Sequence, residues 1–169
     1  SNNINMDELL FILCHFIFLN VIEYSTHLLS HSPKYGFVFY KSHHEHHLVY
    51  PPKKLMVESF DDNVEDTRLP YVMLITFGFG VIYNILSFYY YIIFLSETTI
   101  YFYIANLLHN SYHLKNPYLE RYRWFRYLKK LHHIHHIKVY NNLNITVPIT
   151  DKLNNTYQVD LNSKYLKKN

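Results

Sequence analysis

"LPYVMLITFGFGVIYNILSFYYYIIFLSETTIYFYIANLL", residues 69–108, runs for forty positions with Glu97 as its only charge and with no lysine or arginine. As one helix it would extend roughly 60 Å, about twice a hydrocarbon core of ~30 Å. The simplest solution is a transmembrane hairpin that turns near Asn84 to Tyr90. A buried helical pair in a soluble protein is the competing reading. The aromatic words "FYYYIIF" and "IYFYIA" suit a membrane-interface belt and weigh against it.

Working outward, Ser1 to Thr26 also lacks Lys and Arg and carries "LLFILCHFIFLNVI", Leu9 to Ile22. That run covers only ~21 Å as a helix. It spans if it extends from about Met6 into the 20s, over 6–26, and otherwise lies shallow in the bilayer. All 16 Lys and Arg fall in the two remaining blocks, 27–68 and 109–169. A double crossing returns the chain to the side it left, so both basic blocks share one face, which the positive-inside rule makes cytosolic. No basic region precedes the first apolar run, which argues against a cleavable signal peptide. The chain begins at Ser1 and not at a methionine, which leaves room for a preceding segment. Its 169 residues suit one domain, 1–169, and a single cysteine, Cys14, excludes an intrachain disulfide framework.

The thirteen histidines are the outlier of the composition. "HLLSH" supplies His27 and His31 at i and i+4, where both imidazoles reach one side of a helix. Glu23 sits on the same stripe, placed to orient a ligand. "HHEHH" follows at 43–47. On a helix His43, His46 and His47 span an arc of about 100°, and the mirror triple His43, His44 and His47 spans an equal one. Geometry leaves the two tied. After the hairpin "HNSYH" gives His109 and His113, and "HHIHH" gives His132 to His136 with the same tie between His133 and His135. The order is therefore HxxxH, HxxHH, hairpin, HxxxH, HxxHH, with five candidate ligands in each half. A pH-responsive surface patch would not repeat both spacings in the same order. Ten imidazoles exceed the needs of one ion and suit two adjacent metals. Only a hairpin brings both halves to one face. His15, alone within the first apolar run, reads as packing or polar decoration.

The set resembles the fatty acid hydroxylase and sterol desaturase superfamily of integral membrane oxygenases. "HLLSH" at 27, "HHEHH" at 43, the region of "HNSYH" at 109 and "HHIHH" at 132 carry the likeness over residues 20 to 156. In its tail, "NLN" (Asn142 to Asn144) and "DKLNNT" (Asp151 to Thr156) stand where the family has an N-x-G turn and a D-x-x-x-G-T-like segment. Asn144 and Asn155 replace the family's glycines. The resemblance implies an all-α integral membrane protein with a transmembrane hairpin and a cytosolic histidine-rich cap. Its metal-binding blocks would be 27–68 and 109–156. It favours HxxHH over the mirror, so the implied ligands are His27, His31, His43, His46, His47, His109, His113, His132, His135 and His136, with His44 and His133 outside the set. The family's third motif varies among its branches, so the resemblance leaves open which of His109 and His113 binds a metal directly.

The implied cofactor is a pair of iron ions, with zinc as a substitute. The implied reaction is O₂-dependent hydroxylation or desaturation of a lipid, a fatty acyl chain or a sterol, in an endoplasmic reticulum-type membrane. With no haem or flavin motif, electrons come from an external donor such as a cytochrome b type protein, and nucleic acid is not a partner. "KNPYLERYRWFRYLKK", residues 115–130, is either its docking face or a row of cations against anionic lipid. A catalytically silent metal-binding membrane protein derived from that family is the alternative. The sequons at Asn144 and Asn154 are silent on a cytosolic face, and the acidic stretch Glu58 to Asp66 reads as a solvated loop.

Overall fold

The computed structural model describes residues 6–59 and 85–160. Every regular element among them is helical: α1 (Met6–Ser30), α2 (Phe37–Val49), α3 (Phe88–Tyr112), a 3-10 turn (Tyr118–Arg121), α4 (Arg123–Ile137) and the short α5 (Ile149–Leu153). The one β-type pairing among the described residues is a parallel bridge between Val57 and Leu114.

Both α1 and α3 have 25 residues, about 37 Å of helix, and both are long and apolar enough to cross a membrane. A core helix of a soluble protein would bury most of such a surface. Here the most apolar window is 28% buried in α1 and 33% in α3. Leu9, Leu10, Leu13, Ile17 and Phe18 of α1 and Phe88, Ile92, Ile100, Tyr103 and Ile104 of α3 all lie exposed. Both helices run past the apolar stretches the sequence marks out. Each carries one histidine in its last turn, His27 or His109, and another immediately past its end, because neither Gly nor Pro interrupts the pattern before Ser30 or Tyr112.

The two long helices run parallel. The Tyr89 hydroxyl donates to Glu8 Oε1 (2.9 Å), Phe11 packs on Tyr90, and His15 Nδ1 meets Glu97 Oε2 at 2.8 Å. Further along, Asn20 reaches the Tyr101 hydroxyl (3.3 Å), and Leu19 packs against Tyr101 and Phe102. His15 is therefore more than decoration. It is buried between Phe94, which stacks on it at 4.3 Å, and the only charge of the stretch 69–108. Parallel helices deliver their C-terminal ends, with His27 and His31 and with His109 and His113, to one side. Val57 pairs with Leu114 just past the end of α3, whereas α3 starts beside Glu8 at the other end. The described backbone turns at Ile85 and Leu86 immediately before α3. The ascending leg of the expected hairpin, residues 69–84, lies outside the described residues.

Gly36 makes the sharp turn from α1 to α2. A Cβ there would stand 2.5 Å from the Leu29 carbonyl oxygen and 2.8 Å from that of Ser32. With only hydrogen at that point, α2 folds back on α1 and sets His43 against His27. On α4, Phe125, Leu128, His132 and His135 recur at intervals of three and four, and His136 lies four past His132, one stripe of a helix. Phe125 packs with Leu108, Tyr112 and Ile145 in a small core that fixes α4 against the end of α3.

Candidate metal centre

Ten histidines converge at the C-terminal ends of α1 and α3, and they sort into two lobes. In lobe 1, His43 Nε2 lies 3.1 Å from His27 Nε2, 3.0 Å from His31 Nε2 and 3.0 Å from His47 Nε2. His135 Nε2 completes it, 3.2 Å from His31 and 3.3 Å from His47. In lobe 2, His132 Nε2 lies 2.9 Å from His113 Nε2 and 3.1 Å from His136 Nε2, which is itself 3.1 Å from His46 Nε2. The His109 ring joins this second group, 4.6 Å from those of His46 and His132. The lobes touch: the rings of His47 and His136 are 4.3 Å apart.

Four histidines of each lobe come from one half of the sequence and the fifth from the other. His135 crosses into lobe 1 and His46 into lobe 2. The two HHxHH words are both helical, and one member of each turns away. His44 is exposed and stacks on Tyr40, with ring centroids 5.3 Å apart. His133 Nε2 donates to the Tyr112 carbonyl (3.0 Å) and lines a surface cavity of about 730 Å³ with Met56, Arg126 and Lys130.

The ring protons can be placed. A carbonyl oxygen only accepts, so a neutral histidine facing one through Nδ1 carries its proton there and leaves Nε2 as a bare lone pair. Four rings do this: His27 to Leu143, His135 to Asn141 (3.0 Å), His113 to Leu55 (2.9 Å) and His136 to Tyr50 (2.8 Å). In lobe 2, His132 has one proton to offer against the lone pairs of both His113 and His136. In lobe 1, His43 Nε2 faces three other Nε2 atoms and carries at most one proton. Among the described residues, lobe 1 has five such Nε2 contacts for the three rings, His31, His43 and His47, whose proton is not drawn to Nδ1 by a carbonyl. Lobe 2 has three for two rings, His46 and His132. Contacts outnumber protons, and a cation in each lobe removes the repulsion between lone pairs.

Extra protons do not solve the problem. Burial lowers His31 to about 4. Burial and then the neighbouring His31 lower His47 to about 3. Burial and then His109 lower His113 to about 2. His43, His46, His132, His135 and His136 are likewise held well below the usual imidazole value, first by burial and then by neighbouring histidines, His27, His109 and His47 foremost. All eight are held as neutral imidazoles near pH 7. Either four-histidine group, His27, His31, His43 and His135 or His46, His113, His132 and His136, can hold a metal ion.

Comparison with protein-family models, with curated proteins and with solved structures gives no match. The reading of the site therefore rests on these side chains and their surroundings.

Glu23 does not orient a ligand directly. Its Oε2 accepts from Tyr101, Asn144 and Thr146, each at 3.0 Å, because α1 turns that face toward α3 and the chain segment after α4. The groups that orient the candidate rings are backbone carbonyls, for which sequence offers no signal. In the tail, Asn142 and Asn155 take φ of 53° and 57°, the left-handed region that asparagine tolerates better than most residues. Asn155 thus supplies the conformation expected of a glycine at its position. Asn144 does not adopt a positive φ, and its buried side chain bonds to Glu23 and to the Asn20 carbonyl.

The basic segment 115–130 is less uniformly cationic than it reads. Lys129 is buried, donating to the Leu114 carbonyl and Glu120, while Lys115 pairs with Glu58 and Lys130 with Asp160. Arg121, Arg123 and Arg126 remain exposed. Of the acidic stretch 58–66, Glu58 and Ser59 belong to the described residues, and Glu58 is exposed.

Proposed function

We propose that this chain is an integral membrane oxygenase that holds two iron ions in its histidine lobes and hydroxylates or desaturates a lipid with O₂ and electrons from an external donor. The proton shortfall among the Nε2 atoms is the observation that carries the metal reading. Spacing supports it further. At a metal–nitrogen distance of about 2.1 Å, ligands at right angles stand about 3.0 Å apart and tetrahedral ones about 3.4 Å. Seven of these eight Nε2 pairs lie between 2.9 and 3.2 Å. That favours the crowded five- or six-coordinate surroundings of iron over a four-coordinate structural zinc.

Lobe 1 would hold one ion through His27, His31, His43, His47 and His135, and lobe 2 the other through His46, His109, His113, His132 and His136. Bound iron supplies O₂ activation and the power to take hydrogen from an unactivated C–H bond. The protein's own part is to orient four of the rings through backbone carbonyls and to bury the imidazoles against one another. It also excludes water from lobe 2, where Tyr50 stacks on His113 at 4.2 Å and Tyr112 lies against His132. Half-buried His27, His31 and His47 leave lobe 1 the more accessible side for O₂ and substrate.

The exposed apolar faces of α1 and α3 support membrane insertion, and the cationic blocks at their histidine ends support a cytosolic cap on an endoplasmic reticulum-type membrane. A lipid then reaches the lobes from the bilayer between the helices. Arg121, Arg123 and Arg126 are the cations left to meet an acidic donor such as a cytochrome b type protein.

The test compares the lipids of cells expressing the wild type with those expressing His135→Ala, alongside iron analysis of untagged protein. A lipid product that disappears in the variant is the expected result. Unchanged lipids with iron bound would leave a catalytically silent metal protein, and protein without metal would end the reading altogether.

A further inference from the structure

We propose that Asp151 is a positioning residue for lobe 1 alone, holding the carbonyls that set the ring orientation of His27 and His135; the inference rests on the metal reading above. Asp151 is fully buried, yet among the described residues no lysine or arginine bonds to it. Its Oδ1 accepts from the Leu143 N–H (2.8 Å) and the Thr156 hydroxyl (2.7 Å), and its Oδ2 accepts from the Asn144 N–H (2.8 Å). These bonds pull two consecutive peptide N–H groups toward the carboxylate. They fix the short segment whose carbonyls, at Asn141 and Leu143, receive the Nδ1 protons of His135 and His27. The segment is pinned again at its ends: Asn142 N donates to the Thr156 carbonyl (3.1 Å) and Asn144 Nδ2 to the Asn20 carbonyl (2.9 Å).

Lobe 2 takes its orientation from elsewhere. Its two carbonyls, at Tyr50 and Leu55, belong to the segment after α2. That segment is tied down by Val57, whose N–H donates to the His113 carbonyl and whose carbonyl accepts from the Lys115 N–H. The two lobes thus have separate supports, and removing one should leave the other intact.

Asp151→Asn keeps the shape but presents an amide N–H to a backbone N–H, donor against donor. The full chain, purified in detergent without a histidine tag, is loaded anaerobically with ferrous iron, and iron per chain is measured beside helix content. The wild type should hold two ions and Asp151→Asn one, at unchanged helix content. Combined with His132→Ala in lobe 2, the variant should hold none. Combined with His135→Ala in its own lobe, it should lose nothing further, since both changes strike one site. If Asp151→Asn fails to fold, Thr156→Val removes one donor to the same carboxylate and should weaken one ion by roughly 10–100-fold. Two ions bound with wild-type affinity in whichever variant folds, or equal loss from both lobes, would overturn the proposal. A wild type without iron overturns instead the metal reading on which it rests.

Discussion

The two lobes are built from the same side chain and differ in almost everything around it. Lobe 2 is enclosed: all five of its histidines are buried, with tyrosine rings packed on His113 and His132. Lobe 1 is half open, with His27, His31 and His47 partly exposed and the exposed Tyr140 ring 6.0 Å from His31. An enclosed set of imidazoles suits an ion that stays. An open set suits an ion that must meet other molecules. The crossing of His46 and His135 ties the two together, so neither half of the chain can complete a lobe by itself.

The comparison breaks most directly at its ligands. His46→Ala removes a ring with no exposed surface and is expected to cost one ion per chain and of order 3 kcal/mol of stability. His31→Ala at the open lobe should also cost one ion but destabilise the protein far less. Metal analysis and thermal melting of the two variants side by side measure the difference, and equal losses of stability would remove the distinction between a closed and an open lobe.

A smaller effect is expected from Gly36→Ala. Its new methyl meets the Leu29 and Ser32 carbonyls and pushes α2 away from α1, at about 1–3 kcal/mol. Because that turn presses His43 against His27 and His31, the ion of lobe 1 should weaken before that of lobe 2. An iron titration resolving the two affinities reads this directly, and parallel weakening of both would count against separate supports.

The smallest effects belong to the two histidines outside the lobes. His133→Ala loses one hydrogen bond to the Tyr112 carbonyl, about 0.5–1.5 kcal/mol, and should keep both ions. His44→Ala, exposed beside Tyr40, should change stability by less than about 0.5 kcal/mol. Loss of an ion in either variant would reopen the choice between the two triples of each HHxHH word.

Sequence alone determined the two apolar helices, the four histidine words and their pairwise spacings, because each depends on periodicity along one helix. It left His44 and His46 tied, and His133 and His135 tied, since periodicity fixes the angles between residues but not how the helix is rotated against its neighbours. Tertiary packing settled that rotation: the Phe125 core and the Tyr112 carbonyl turn α4 so that His135 faces inward and His133 outward. It also decided that each lobe borrows one histidine from the other half of the chain. Asp151 was visible only as part of a tail motif; its place behind two carbonyls depends on where residues 141–144 lie. Such contacts join residues distant in sequence through backbone atoms common to every amino acid, so only the folded arrangement could assign them.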